Sequence, residues 1–335
     1  MSKLMDIIGH KEILQTLRNS IKRDKLAHAY LFAGPPGVGK KTVAGAFARV
    51  LLCEDPRDGD LCGECRSCRQ TEAGNHPDLH LIQPTGVTLK IEQIRELLKQ
   101  VQYRPYQAPR QVFIIEKADA MTQEAANCFL KTLEEPVGQT LFILLSNHPN
   151  LLLTTVLSRC LTFQFHALSS GEVAHILANS FAIEPDKAAE FAPMAGGSVE
   201  RALKLASNEE GNQIRLKIWQ IVGELPSMGN SRALVLAEEL ATDGNNAGDS
   251  LEIMMLLFRD MLVYNYTSDK KMLINQDMVE ELAEHSLRYG PAKLMSIVEE
   301  IKEAREKILA NANPRLTLEV LMLKIQSYGG LFNAS

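Results

Sequence analysis

The chain has 335 residues, enough for two or three domains and a core that needs no covalent staples. Hydrophobic residues at 45% and charged residues at 23% belong to an ordinary globular protein and set aside disordered and fibrous classes. The net charge of −5 comes without a long basic run, which argues against a stand-alone DNA binder; nucleic-acid contact is expected to be shared with partners.

Met1 to Asp6 shows no apolar signal-peptide core. The most apolar stretch, Leu141 to Leu157, is interrupted by Ser146, Asn147, His148, Pro149 and Asn150, so no membrane span is expected and a cytoplasmic location is the default. The apolar run Ala29 to Ala33 reads as a buried strand and Val43 to Leu52 as a helix. Between them stands Gly34-Pro35-Pro36-Gly37-Val38-Gly39-Lys40-Lys41-Thr42, a phosphate-binding loop with one altered position. Gly34, Gly37, Gly39 and Lys40 are in place to wrap backbone N–H groups and one ammonium around phosphates. The hydroxyl that would hold Mg²⁺ is replaced by Lys41, and Thr42 lies about 100° further around the helix. The cradle is present and the metal ligand is missing, so ATP or ADP binding is left open while hydrolysis is not expected.

Four of the six cysteines follow: Cys53, Cys62, Cys65 and Cys68, in a turn-rich stretch with Asp55, Pro56, Asp58, Gly59, Asp60 and Gly63. Two overlapping C-x-x-C units and a fourth thiol nearby suit a closed Cys₄ shell around a structural Zn²⁺. Disulfides are the alternative, disfavoured by a reducing cytosol. His76 and His80 read as loop and strand residues, and Cys128 as part of a helix core. A second apolar strand, from Gln111, ends in Glu116-Lys117, where loop-type ATPases carry an acidic residue for Mg²⁺. Glu116 can still reach a metal, but a charged Lys117 cannot accept a proton. Asn127 to Pro136 is an amphipathic helix stopped by proline, followed by a strand over Leu141 to Leu145, then Ser146-Asn147, then Ser158-Arg159-Cys160.

Strand and helix patterns alternate over residues 1–166, which predicts a parallel sheet with helices on both faces. Short helices over 167–208 (Ser170 to Ser180, Glu184 to Ala195, Ser198 to Ser207) suggest a small lid, and 209–335 reads as all-helical. Leu294, Ile297, Val298, Ile301, Ala304, Ile308 and Leu309 share one helix face. Leu251 to Tyr266 is apolar nearly all round, implying burial on more than one side by its own domain or by a partner. Asp243 to Gly248 reads as a loop.

The run from Asn127 through Arg159 resembles the AAA+ clamp-loader family of bacterial DNA polymerase III. So do His28-Ala29-Tyr30-Leu31-Phe32, the helix starting Lys90-Ile91-Glu92-Gln93-Ile94-Arg95, and the inserted cysteine module. Gly196-Gly197-Ser198-Val199-Glu200-Arg201 and Asn311-Ala312-Asn313-Pro314-Arg315 also match, and the resemblance covers about residues 5–328. It implies an AAA+ phosphate-loop domain, a helical lid and a collar. Asn147 and Arg201 then match the first and second sensors, as relics if the nucleotide site is idle. Motor members keep the hydroxyl and an Asp-Glu pair; this chain resembles the non-motor members.

In such a stator Arg159 would complete a neighbour's ATP site in trans, a device worth roughly 10³–10⁵ in rate. The implied partners are gamma/tau motor subunits and a delta subunit, with the sliding clamp and primed DNA engaged through the complex. The alternatives are an ATP-hydrolysing motor that tolerates Lys41 and Glu116, and a zinc-dependent DNA-binding module.

Overall fold

Three uninterrupted apolar runs form the middle of a parallel sheet. They are β1 (Ala29–Ala33), β3 (Gln111–Ile115) and β4 (Thr140–Ser146), every residue of which is buried. The half-exposed strands β2 (Leu79–Ile82) and β5 (Leu161–Gln164) complete the order β2-β3-β4-β1-β5. All pairings are parallel, with Ala33 level with Ser146 on one side and with Gln164 on the other. The computed structural model describes residues 3–135, 138–207, 209–242, 247–310 and 312–329.

Strand alternation divides the core into two layers. Tyr30, Phe32, Ile114, Ile143 and Leu145 face α1 (Lys11–Lys22) and α2 (Lys40–Leu52), joined by Leu17, Val43, Phe47 and Leu51. Leu31, Phe113, Ile115, Phe142 and Leu144 face the opposite way and pack with Ile94, Leu97, Phe129 and Leu133. Those last four come from α4 (Ile91–Val101) and α5 (Gln123–Glu134). The cysteine module contributes α3 (Arg66–Glu72), and α6 (Thr154–Leu157) precedes β5. Each fully buried Leu or Phe is worth about 1.5–3 kcal/mol relative to exposure, so these two layers fix the strand ends at which polar residues are displayed.

The chain divides into two units, Met1–Ala182 with Gly196–Arg201, and Ile183–Ala195 with Ala202–Ser335. The first unit closes with α7 (Ser170–Phe181), started by a capping box in which the Ser169 hydroxyl accepts from Glu172 N–H and the Glu172 carboxylate accepts from Ser169 N–H. The segment expected to form a lid is shared: α8 (Pro185–Met194) belongs to the second unit, and α9 (Val199–Ser207) begins in the first and continues in the second.

The second unit is helical throughout its described residues, with α10 (Glu209–Glu224), α11 (Asn230–Thr242), α12 (Ala247–Thr267), α13 (Val279–Tyr289), α14 (Pro291–Leu309) and α15 (Pro314–Gly329). Its core joins Leu251, Met254, Leu257, Phe258 and Met261 of α12 to Leu294, Ile297 and Ile301 of α14 and Leu318, Leu321 and Ile325 of α15. Ile253, Met255, Leu262, Val263 and Tyr264 are partly buried against the same core, so α12 is covered on several sides within its own unit. The fully buried Asp260 accepts hydrogen bonds from Ile274 N–H, Asn275 N–H and Asn275 Nδ2, and pairs with Arg259. Its charge is thereby matched by donors, as burial requires. Of the loop expected over Asp243 to Gly248, Asp243 to Asn246 lie outside the described residues, as do Pro136 and Asn311, while Ala247 and Gly248 already belong to α12. Among the described residues no helix is long and apolar enough to cross a membrane.

Candidate functional site

The C-terminal ends of β1, β3 and β4 lie side by side, and the polar residues singled out in the sequence follow them directly. Gly34 continues β1, Glu116 continues β3 and Asn147 continues β4. Ligand sites of open parallel sheets form at such strand ends. Gly34 bonds back to the Ser146 carbonyl at 3.1 Å, which ties the loop to β4. A side chain at Gly37 would run into Ser198, and Val199 N–H donates to the Gly37 carbonyl at 2.9 Å. The loop is thus in contact with the start of the helix that carries Arg201. Asn147 and Arg201 are both half-buried.

Lys40 opens α2 and is buried, with Nζ donating to the carbonyls of Gly34 at 2.6 Å and Pro35 at 2.5 Å. Burial pushes its ammonium down to about 8 against the opposing attraction of Asp119. The expected phosphate ligand is therefore turned onto the loop's own backbone. Lys41 Nζ lies 2.7 Å from Glu116 Oε1, which also accepts from Gln83 Nε2 at 2.9 Å. The two altered positions meet each other: a cation from the loop pairs with the carboxylate at the end of β3. Lys117 is exposed and takes a left-handed conformation at φ 48°, and Thr42 is exposed as well.

Arg159 lies elsewhere. It sits between α6 and β5, so it precedes a strand whose far end reaches the loop through Phe165, whose N–H donates to the Ala33 carbonyl at 2.7 Å. Arg159 lies in the turn before β5, whose four residues at about 3.3 Å each span roughly 13 Å, so it stands at the opposite end of that strand from Phe165. There its side chain is 32% exposed, with Nη1 donating to the Thr155 carbonyl and Ser158 Oγ. Nη2 pairs with Glu134 Oε1 at 2.5 Å. Glu134 was not singled out by sequence; its position in the last turn of a helix, two residues before Pro136, was the available signal, but its partner is 25 residues away.

The four clustered cysteines converge. Cys53 caps the C-terminus of α2, Cys65 caps the N-terminus of α3, and Cys62 and Cys68 fall between and within them. Their sulfurs all lie within 4.8 Å of one another, with contacts of 3.6, 3.6, 3.9 and 4.0 Å. A tetrahedral ion with metal–sulfur bonds of about 2.3 Å requires sulfur–sulfur edges of about 3.8 Å, so the donor set fits a four-thiolate metal site. Backbone N–H groups of Cys62, Cys65 and Cys68 donate to the sulfurs of Cys53, Cys62 and Cys65 at 3.3–3.4 Å, the outer shell such a site uses. Burial pushes the Cys53 and Cys68 thiols up, a bias toward neutrality that a bound dication would reverse. His76 is not among the converging groups: it is buried against Ser67 Oγ at 2.7 Å, and His80 stacks on Phe113. Neighbouring Asp60 accepts from the N–H groups of Leu4 and Met5, fastening the module to the start of the chain.

Two family models match the chain. One described as DNA polymerase III, delta subunit, covers residues 9–169, and one described as DNA polymerase III, delta subunit, C terminal, covers 211–327. The DNA polymerase III subunit delta' of Bacillus subtilis (strain 168) is 31% identical over 94% of this chain and 95% of its own length. The corresponding subunit of Pseudomonas aeruginosa is 32% identical over 92% of this chain and 94% of its own. DNA polymerase III subunit tau of Bacillus subtilis is 28% identical over 96% of this chain, which spans 61% of that longer protein. With a phosphate-loop sheet, a helical C-terminal unit and full-length relatives of this identity, the chain belongs to the family of DNA polymerase III delta' subunits.

Proposed function

We propose that the chain is a stator of the clamp-loader complex. It does not hydrolyse ATP itself, and it lends Arg159 in trans to the ATP site of a neighbouring motor subunit of the gamma/tau kind. Working with those motors and a delta subunit, it takes part in placing a sliding clamp on primed DNA in the cytoplasm. The observation that carries this reading is the Lys41–Glu116 ion pair, 2.7 Å long, standing where a hydrolysing site needs a hydroxyl and a carboxylate free for Mg²⁺. The place of Arg159 supports the second half: the length of β5 separates it from its own loop, and about a third of its side chain is open to solvent. An arginine there can stabilise charge on a transferring phosphoryl group. The domain organisation that goes with this reading is a phosphate-loop domain over 1–166, a lid over 167–208 and a collar over 209–335. Asn147 and Arg201 are relic sensors, and the cysteine shell holds a structural Zn²⁺, the ion that four thiolates in closed tetrahedral geometry favour.

The test is steady-state ATP hydrolysis with Mg²⁺ and primed DNA. The isolated chain is expected to show no turnover above background. In a complex reconstituted with the motor subunits, Arg159→Ala should cut hydrolysis at the site it serves by roughly 10³-fold or more. Turnover by the isolated chain that Lys40→Ala abolishes would make it a motor instead. Unchanged turnover in the Arg159→Ala complex would sink the finger assignment.

A further inference from the structure

Three of the five donors of Arg159 are engaged within its own chain: two on the Thr155 carbonyl and Ser158 Oγ, and one on Glu134. The first two acceptors are neutral and lie on the adjoining turn, so they aim the stem of the side chain. Glu134 is different, because it carries charge and comes from another helix. It occupies the last turn of α5, where a carboxylate faces the negative end of the helix dipole and is disfavoured unless a cation offsets it. Arg159 supplies that cation.

A γ-phosphate and the Glu134 carboxylate compete for the same Nη2 group, and side by side they would repel. We propose that Glu134 is a positioning residue that parks Arg159 in the unassembled chain and is displaced when the phosphate of a neighbour's ATP takes its place. The inference rests on the trans-finger reading and names the group that regulates it. The exposures fit an exchangeable contact: Glu134 is 50% exposed and Arg159 32%, so the released carboxylate returns to water and no unpaired charge is buried. A pair this accessible is weak enough to be exchanged and strong enough to hold one geometry beforehand.

The experiment measures ATP hydrolysis by complexes reconstituted with motor subunits and wild-type, Glu134→Gln, Arg159→Ala or doubly substituted chains. Glu134→Gln keeps the shape and removes the charge, and should raise kcat by about two- to fivefold, the range of an exposed ion pair. In the Arg159→Ala background the same substitution should change nothing, whereas a merely structural role for Glu134 would move both backgrounds alike. Lowered turnover in Arg159→Ala with unchanged or reduced turnover in Glu134→Gln would overturn the parking role and leave the finger standing. No effect of Arg159→Ala would overturn both.

Discussion

The two ends of the sheet have opposite chemistry. At the C-terminal ends of β1 and β3 the two lysines of the loop are spoken for locally: Lys40 is buried on loop carbonyls and Lys41 is tied to Glu116. At the other end of β5, beside its start, Arg159 is held by a half-exposed carboxylate. Both ends contain a cation near acceptors, and burial and the partner's mobility distinguish them. A charge fixed on backbone in the core contributes to the fold, whereas a charge held by a water-exposed side chain remains available to another molecule.

The largest expected effect concerns the cysteine module, which lies at the end of α2 away from the loop. Cys65→Ser should abolish stoichiometric metal binding and lower the melting temperature markedly, since four-thiolate sites contribute roughly 10–16 kcal/mol in isolated fingers and a part of that here. Metal content and thermal melting check it, and unchanged melting after complete metal loss would mean that the module is not a staple. Next in size is the Lys40 ammonium. Its folded value of about 8 lies below the ordinary 10.5, so between these values the unfolded chain holds more protons and stability rises with pH. The penalty is fully present below pH 8 and amounts to about 3 kcal/mol at 1.36 kcal/mol per unit. Lys40→Met should flatten that rise in urea unfolding between pH 8 and 10.5; a slope equal to wild type would show that Lys40 is not the group responsible. The smallest effect is Lys41→Thr. It breaks a pair worth about 0–1 kcal/mol and restores a hydroxyl, but with Lys117 still in place the isolated chain should remain without ATP turnover. Measurable hydrolysis would erase the contrast between the two ends.

Much of this was legible in the sequence because the informative signals are local. The glycine spacing and the apolar run before it located β1, its loop and α2 to within a few residues, since a buried strand and a phosphate loop each impose their own residue types. Cys53, Cys62, Cys65 and Cys68 announced a cluster for the same reason. What was not legible depended on strand order and on distant pairing. The sequence marks Lys41 and Glu116 as altered, but their meeting follows from β3 and β1 lying on either side of β4, which no local pattern encodes. Glu134 went unrecognised as the partner of Arg159 because the two are brought together across α5 and α6 by core packing. Nor did helical periodicity distinguish α8 from α9 in the unit each joins, since short amphipathic helices carry the same pattern wherever they dock.

The parallel course of β5 and β1 has a consequence for how such chains can be strung together. An element that offers at one edge and receives at the other gives a head-to-tail row a direction, as heterologous contacts do. If every member both offers an arginine and receives one, the row has no intrinsic terminus. On the proposed trans role of Arg159, a member whose receiving edge is closed on its own lysines would still offer, and a row of active sites would start at it. The 2.7 Å contact between Lys41 and Glu116 would then act as punctuation, marking where the series of firing sites begins.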